Sequence, residues 1–367
     1  MACKNDRAIL VVSFGTSYNE NRTKTIGAIE RAICEAYGDS WEVRRAFTSR
    51  MIIKKLAERD GKKIDYVTDA LERLAADGAR TVVVQPTHIM NGEEYDDVVE
   101  AVEKYRDRFD KVAIGKPLLT TLEDYDDVIA AIETDLVPAA MEIAGEGCSI
   151  VLAGHGSEHY ANATYSQLQL MLMTTGPNDI FVTTVEGFPE YDDTILLMEG
   201  ASKKVVLFPF MVVAGDHANN DIAGDDEDSL KSVLTEEGYE VHCVVKGLGE
   251  FKAFRDLFLG HVKAAMEELR TKWSKRGGIG PRFIVFRNSA SRSCPYRPCR
   301  LGTPNRLVCP RTSCRGRSRC RGRRSRGRTR RRTWCISTSR ASPWGSGRAP
   351  PRAPLPLSSL RRGRPSS

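Results

Sequence analysis

The sequence predicts an α/β protein of two similar lobes, each with a parallel sheet, followed by a C-terminal segment of a different kind. Three observations carry this. Along the first 274 residues short apolar runs alternate with amphipathic stretches, the order expected of strands and crossover helices in a sheet covered on both faces. Segments of the first half recur in the second: Phe14-Gly-Thr16 aligns with His155-Gly-Ser157, each after an apolar run. Likewise 81–92 aligns with 204–215, Pro86 matching Pro209 and Gly92 matching Gly215. The composition then changes abruptly at Lys275. The expected divisions are a first lobe over 1–120, a second over 121–274 and a tail over 275–367.

The run Ala8-Ile-Leu-Val-Val-Ser-Phe14 reads as a buried strand entering the loop Gly15-Thr-Ser17. A helix over 21–37, a strand over 41–47, helices over 50–57 and 64–76, a strand over 81–85, a helix over 93–109 and a strand over 112–114 complete the first lobe. The second opens with a helix from 122 into the 130s and a loop through Pro138 and Gly145. Strands are expected over 149–153, 181–185, 204–208 and 239–245. Helices are expected over 160–173, 192–198, 228–236 and 250–273, the last of them amphipathic.

The tail contains 26 basic and no acidic residues, 11 of the 17 prolines and 6 of the 10 cysteines. Such a segment cannot bury enough apolar surface to offset the entropy of ordering, so it reads as disordered. Its arginine bias, against the ordinary lysine use of the body, suggests an aberrant C-terminus. Cys294, Cys299, Cys309 and Cys314 form C-x4-C-x9-C-x4-C, which is not a standard zinc spacing. Aromatics for base stacking are nearly absent around Arg315 to Arg332, so nucleic acid is not an expected partner. Residues 1–274 hold 29 basic and 48 acidic residues, a balance of −19, and the formal +7 of the whole chain says nothing about what the body binds. Its scattered Cys3, Cys34, Cys148 and Cys243 fit a reducing compartment. The polar start and the short apolar run over 8–12 do not read as a secretory segment, and nothing reaches the length of a membrane span. A cytoplasmic protein is expected.

Three residues of the second lobe stand at equivalent places: His155, Glu186 and His217, 31 residues apart in each case. That interval is about one strand, one helix and two loops, so each falls past the carboxyl end of a strand, where parallel sheets bind ligands. Two imidazoles and a carboxylate suit a divalent transition metal with open positions. Glycines on both sides of His155 would let the backbone turn sharply and a ligand approach closely. A single histidine after a strand is more often a hydrogen-bonded structural residue, and a single acid more often an ion pair; the matched positions favour the metal. The first lobe has Phe14 in place of His155, so it would supply an apolar wall against a flat ligand. His155-Gly-Ser-Glu-His159 also fits H-x-x-E-H, but that protease pattern needs a continuous helix, which Gly154 and Gly156 after a strand argue against. Asp221, Asp225, Asp226, Glu227 and Asp228 could collect a second cation, although acids before a helix simply complement its dipole. No phosphate-binding loop of the G-x-x-x-x-G-K-[ST] or G-x-G-x-x-G kind is present, so no nucleotide dependence is expected.

With these residues in place the chain resembles the anaerobic cobaltochelatases of the long, two-lobed class II form. The resemblance runs from about Ala8 to His261. It is carried by Leu10-Val-Val-Ser-Phe-Gly-Thr-Ser17, Arg45-Ala-Phe-Thr-Ser49 with Met51-Ile-Ile53, His88-Ile-Met-Asn-Gly-Glu-Glu-Tyr95, Gly154-His-Gly156, Val185-Glu186 with Pro189-Glu190, and Ala214-Gly-Asp-His-Ala218 with Asp221. It implies two flavodoxin-like lobes and ATP-independent insertion of Co2+ into sirohydrochlorin, in anaerobic cobalamin biosynthesis. The metal ligands it implies are His155, Glu186 and His217, with His155 accepting pyrrole protons and Glu186 assisting. Ser13, Phe14, Arg45 and His88 are candidates to touch the tetrapyrrole, and Arg50, Lys54 and Lys55 could also meet its carboxylates. The implied partners are sirohydrochlorin or precorrin-2 and a divalent metal, with no membrane, no cofactor beyond the substrate ion, and homo-oligomerisation left open. The alternatives are insertion of iron or nickel into a related tetrapyrrole, since N/O ligands discriminate weakly among these ions, or a carrier of metal or tetrapyrrole without turnover.

Overall fold

The computed structural model describes residues 6–177 and 179–274; the expected tail over 275–367, with its cysteine spacing and arginine run, lies outside the described residues. The first half contributes β1 (Arg7–Ser13), α1 (Asn19–Lys24), α2 (Ile26–Tyr37), β2 (Glu42–Phe47), α3 (Arg50–Asp60), α4 (Val67–Ala76), β3 (Thr81–Pro86), α5 (Glu93–Tyr105) and β4 (Lys111–Ile114). The second contributes α6 (Leu122–Ala131), α7 (Val137–Ala144), β5 (Ser149–Gly154), α8 (Ala163–Thr175), β6 (Ile180–Thr184), α9 (Tyr191–Leu197), β7 (Lys204–Pro209), α10 (Leu230–Glu236), β8 (Glu240–Cys243) and α11 (Lys252–Ser274). The strands form two parallel sheets of one topology, β2-β1-β3-β4 and β6-β5-β7-β8, as the internal duplication requires.

Side-chain alternation along the strands assigns each residue to a layer. In the first sheet Ile9, Val11 and Val83 face one core, while Ala8, Leu10, Val12, Val82 and Val84 face a second on the opposite side. In the second sheet Ile150, Leu152, Val206 and Phe208 join the same core as Ile9 and Val11, and Val151, Ala153, Val205 and Leu207 face a third. Strands buried on both faces explain the continuous apolar runs of the sequence. The core common to both sheets also takes residues from α6, α7, α8 and α11, and Phe254, Phe258 and Val262 of α11 are fully buried.

Chain order would place α11 on the second sheet, but the structure packs it against α2, β3 and β4 of the first. α7, by contrast, lies against β7 of its own half's sheet. The second half thus covers a face of the first. Two local expectations change as well. The helix expected over 21–37 is broken at Thr25, whose backbone leaves the helical region (φ −106°, ψ −87°) and whose hydroxyl donates to Asn21 O at 2.7 Å. The loop expected through Pro138 is helical: a π-type turn (Ile132–Leu136) leads into α7, and Pro138 occupies its first turn, where the missing N–H is tolerated.

No helix among the described residues is long and apolar enough to cross a membrane. Because Phe258 sits in the core common to both sheets, Phe258→Ala is expected to cost about 3–5 kcal/mol of stability. Urea unfolding followed by circular dichroism measures this, and a loss of under about 1 kcal/mol would show that α11 is not a central prop of that core.

Candidate metal centre

β5 is central in the second sheet, with β6 and β7 as its neighbours. His155 directly follows β5, Glu186 lies two residues past β6, and His217 ends the longer loop after β7. Three adjacent strand ends therefore deliver the three residues to one edge. Gly154 and Gly156 make this possible, though not by leaving space for a ligand. A Cβ on Gly154 would lie 2.3 Å from the ring of Tyr165, and one on Gly156, whose φ is +84°, would lie 2.6 Å from the Glu186 carbonyl carbon. The glycines let the His155 turn close onto Tyr165 below and the Glu186 loop beside it, and Glu186 N–H donates to His155 O at 2.7 Å. Burial pushes the Tyr165 phenol up to about 12, against the opposing effect of hydrogen bonds from the Gly156 and His155 backbone.

Each of the three side chains places one ligand atom within 4.8 Å of those of the other two. The imidazoles of His155 and His217 meet edge to face, 4.5 Å between ring centres, and His155 Nδ1 lies 3.8 Å from Glu186 Oε2. An ion with bonds of about 2.1 Å spans ligand atoms up to about 4.2 Å apart, so a small side-chain rotation would bring this group around one ion. The hydrogen bonds also orient the rings. His155 Nδ1 lies 2.9 Å from Gly156 O, and His217 Nδ1 lies 2.8 Å from Asp221 Oδ2. A carbonyl and a carboxylate only accept, so Nδ1 carries the proton in both rings and Nε2 keeps the lone pair a metal needs. Asp221 reaches His217 because the two stand four residues apart along a π-type turn, Ala218–Ile222. Among the described residues this is the one group of His, Cys, Asp or Glu so disposed, and the five acids from Asp221 to Asp228 do not form another.

The first half meets this edge through polar contacts. Tyr18 OH donates to Asp216 Oδ1 (3.0 Å), Asn21 Oδ1 accepts from Ala214 N–H (3.0 Å), and His159 Nε2 lies 3.7 Å from Asp96 Oδ2. His159 thus turns toward α5 and not to the triad, and the H-x-x-E-H string does not form a helical pair. The other expected contact residues fare unequally. Phe14 is 43 % exposed on the loop after β1, as a wall residue should be. Ser13 is buried and accepts from the Thr87 hydroxyl at 2.9 Å. Arg45 is paired with Glu30 through two nitrogens and lines a concavity of about 540 Å3 with Arg31, Lys63 and Asp65, apart from the triad. Arg50 stacks over Tyr66 at 3.7 Å, and Lys54 lies 3.8 Å from Glu58.

Comparison with known proteins adds to this geometry. A family described as "Cobalt chelatase (CbiK)" matches residues 7–267. A sirohydrochlorin cobaltochelatase of Salmonella typhimurium is 41 % identical over 262 residues, covering 71 % of this chain and 96 % of the relative. Sirohydrochlorin cobaltochelatase CbiKC of Nitratidesulfovibrio vulgaris is 33 % identical over 266 residues, covering 72 % and 92 %. In fold, the chain is similar to a multi-domain protein of Deinococcus radiodurans with structural similarity to chelatases, at TM-score 0.50 and 14 % identity, covering 70 % of this chain and 55 % of that one.

Two titratable groups of the first half are shifted by burial. Glu94, in the first turn of α5, is half-buried; burial raises its carboxyl above the usual range, the Thr48 hydroxyl opposes this, and the charge of His155 is close enough to act on it. His88 keeps some exposure as a residue, yet both ring nitrogens are covered and have no hydrogen-bond partner among the described residues. Burial lowers its pKa to about 4. A histidine held neutral binds fewer protons folded than unfolded between about 4 and its ordinary 6.5, so stability falls as pH drops through that window. His88→Gln is expected to lose less stability than the parent between pH 7 and pH 4. Urea midpoints across that range test it, and parallel curves for the two proteins would refute it.

Proposed function

Because this chain belongs to the cobalt chelatase (CbiK) family, we propose that it inserts Co2+ into sirohydrochlorin, or the closely related precorrin-2, without nucleotide hydrolysis. The observation that carries this is the convergence of His155, Glu186 and His217 on one edge of the second sheet. The ion is a substrate, and no further cofactor enters the reaction. The free cysteines Cys34, Cys148 and Cys243 agree with a cytoplasmic setting.

In the proposed mechanism Nε2 of His155, Nε2 of His217 and the Glu186 carboxylate hold Co2+, and coordination positions taken by water are left for the pyrrole nitrogens. Asp221 keeps His217 in the ligating tautomer, as the Gly156 carbonyl does for His155. Insertion releases two protons from the macrocycle. His155, with its proton on Nδ1 and the metal on Nε2, has no lone pair left to accept one. That step is assigned to Glu94, whose partial burial already favours the protonated carboxyl. Phe14 and Tyr18, both partly exposed after β1, offer an aromatic wall for the flat ring.

Anaerobic single-turnover assays on the purified chain, following the absorption of the macrocycle with Co2+, Fe2+ or Ni2+, test this proposal. Conversion is expected without ATP and fastest with Co2+. His217→Ala should abolish it, and Glu94→Gln should slow it by about 10²–10⁴-fold while Co2+ still binds. Tetrapyrrole binding without conversion would overturn catalysis in favour of a carrier, and parental rates in His217→Ala would remove the triad from the reaction.

A further inference from the structure

Asn162 ends the short turn Tyr160–Asn162 that precedes α8. As the residue before the helix it could cap it, but its side chain makes no capping hydrogen bond. Both ends of its carboxamide are directed elsewhere. Oδ1 accepts from Ser157 N–H at 3.0 Å, and Nδ2 donates to Phe188 O at 2.7 Å. Ser157 stands two residues after His155, and Phe188 two residues after Glu186. One side chain therefore ties together the segments that leave two of the three ligands.

The surroundings support this tie. A Cβ on Gly187 would lie 2.6 Å from Asn162 Oδ1 and 3.0 Å from Ser157 N, so the Glu186 loop packs directly on the carboxamide. The turn carrying Asn162 is itself pinned, because His159 Nδ1 accepts from Ala161 N–H at 3.2 Å. The side chains of His155 and Glu186 are 45 % and 58 % exposed, so little packing holds them in place and their spacing is set mainly by the backbone beneath. A carboxamide fits this place because it donates at one end and accepts at the other; a carboxylate would set an oxygen against the Phe188 carbonyl.

We propose that Asn162 is a positioning residue, fixing the separation of His155 and Glu186 so that both can reach one divalent ion. This rests on the metal-site assignment made above. The test titrates the full chain with Co2+ under anaerobic conditions against a chromophoric chelator and records the visible bands of the bound ion. The thermal midpoint without added metal is measured alongside.

Asn162→Ala is expected to weaken Co2+ binding by about 10–100-fold and to alter the bands, with the metal-free midpoint little changed. Asn162→Asp should bind no better than Asn162→Ala. Gly187→Ala, which displaces the carboxamide from the other side, should also weaken binding, and its effect should not add to that of Asn162→Ala. If Asn162→Ala does not fold, Asn162→Asp and Gly187→Ala decide the matter. Parental affinity and bands in these variants would overturn the proposal, as would an affinity loss matched by a falling metal-free midpoint, which would make Asn162 a general support of the fold. His217→Ala in the same titration separates the two claims: parental affinity there refutes the metal site itself, whereas loss there with parental Asn162 variants refutes only the positioning role.

Discussion

An apolar core enclosed between two parallel sheets is the constraint on which the rest of this structure depends. Ile9, Val11 and Val83 from one sheet and Ile150, Leu152, Val206 and Phe208 from the other bury the same interior, with α6, α7, α8 and α11 completing it. Separating the halves would expose that interior to water, at roughly 25 cal/mol for each Å2 of apolar surface. The carboxyl edges of the two sheets are thereby held in a fixed relation. The loop after β1 reaches Asp216, beside His217, as a consequence of that packing. The crossing of one helix reinforces it, since α11 follows the second sheet in sequence and lies on the first.

Within that frame the candidate centre is assembled by backbone more than by side-chain packing. His155 and Glu186 are substantially exposed, so little side-chain packing fixes them. Their order comes from below: Gly154 admits Tyr165, Gly156 admits the Glu186 loop, and Asn162 spans both segments. His217 gains its orientation from Asp221 through the geometry of one helical turn. The proposed chemistry divides between the sheets, with the ion held from the second and the proton acceptor and aromatic wall supplied by the first. Such a division follows when a duplicated fold keeps Phe14 where its counterpart has His155.

Much of this was legible in the chain because it is written in local periods. Apolar runs of strand length, crossover intervals of about 30 residues and a repeated Pro-to-Gly spacing are properties of short stretches, and they placed the strands and their order of burial. The 31-residue interval located His155, Glu186 and His217 because equal intervals on adjacent crossovers land on one sheet edge. Other inferences needed partners that are distant in sequence. Arg45 looked available for a carboxylate until Glu30, on the neighbouring helix, was seen to hold it. Ser13 is engaged by Thr87, and the glycines flanking His155 make room for protein atoms where a ligand had been expected. Glu94 carried no pattern of its own; an acid in the first turn of a helix is ordinary, and its raised carboxyl arises only from burial and from its neighbours.

The amino-acid sequence by itself determined the α/β alternation, the duplication and the residue types able to bind a metal, because hydrophobic period and donor chemistry are local properties. Only the tertiary structure decided which sheet α11 covers, which nitrogen of each histidine keeps its lone pair, and which first-half acid stands near His155. Those outcomes depend on side-chain packing and hydrogen bonds between segments far apart in the chain, and no stretch of sequence carries its distant partners with it.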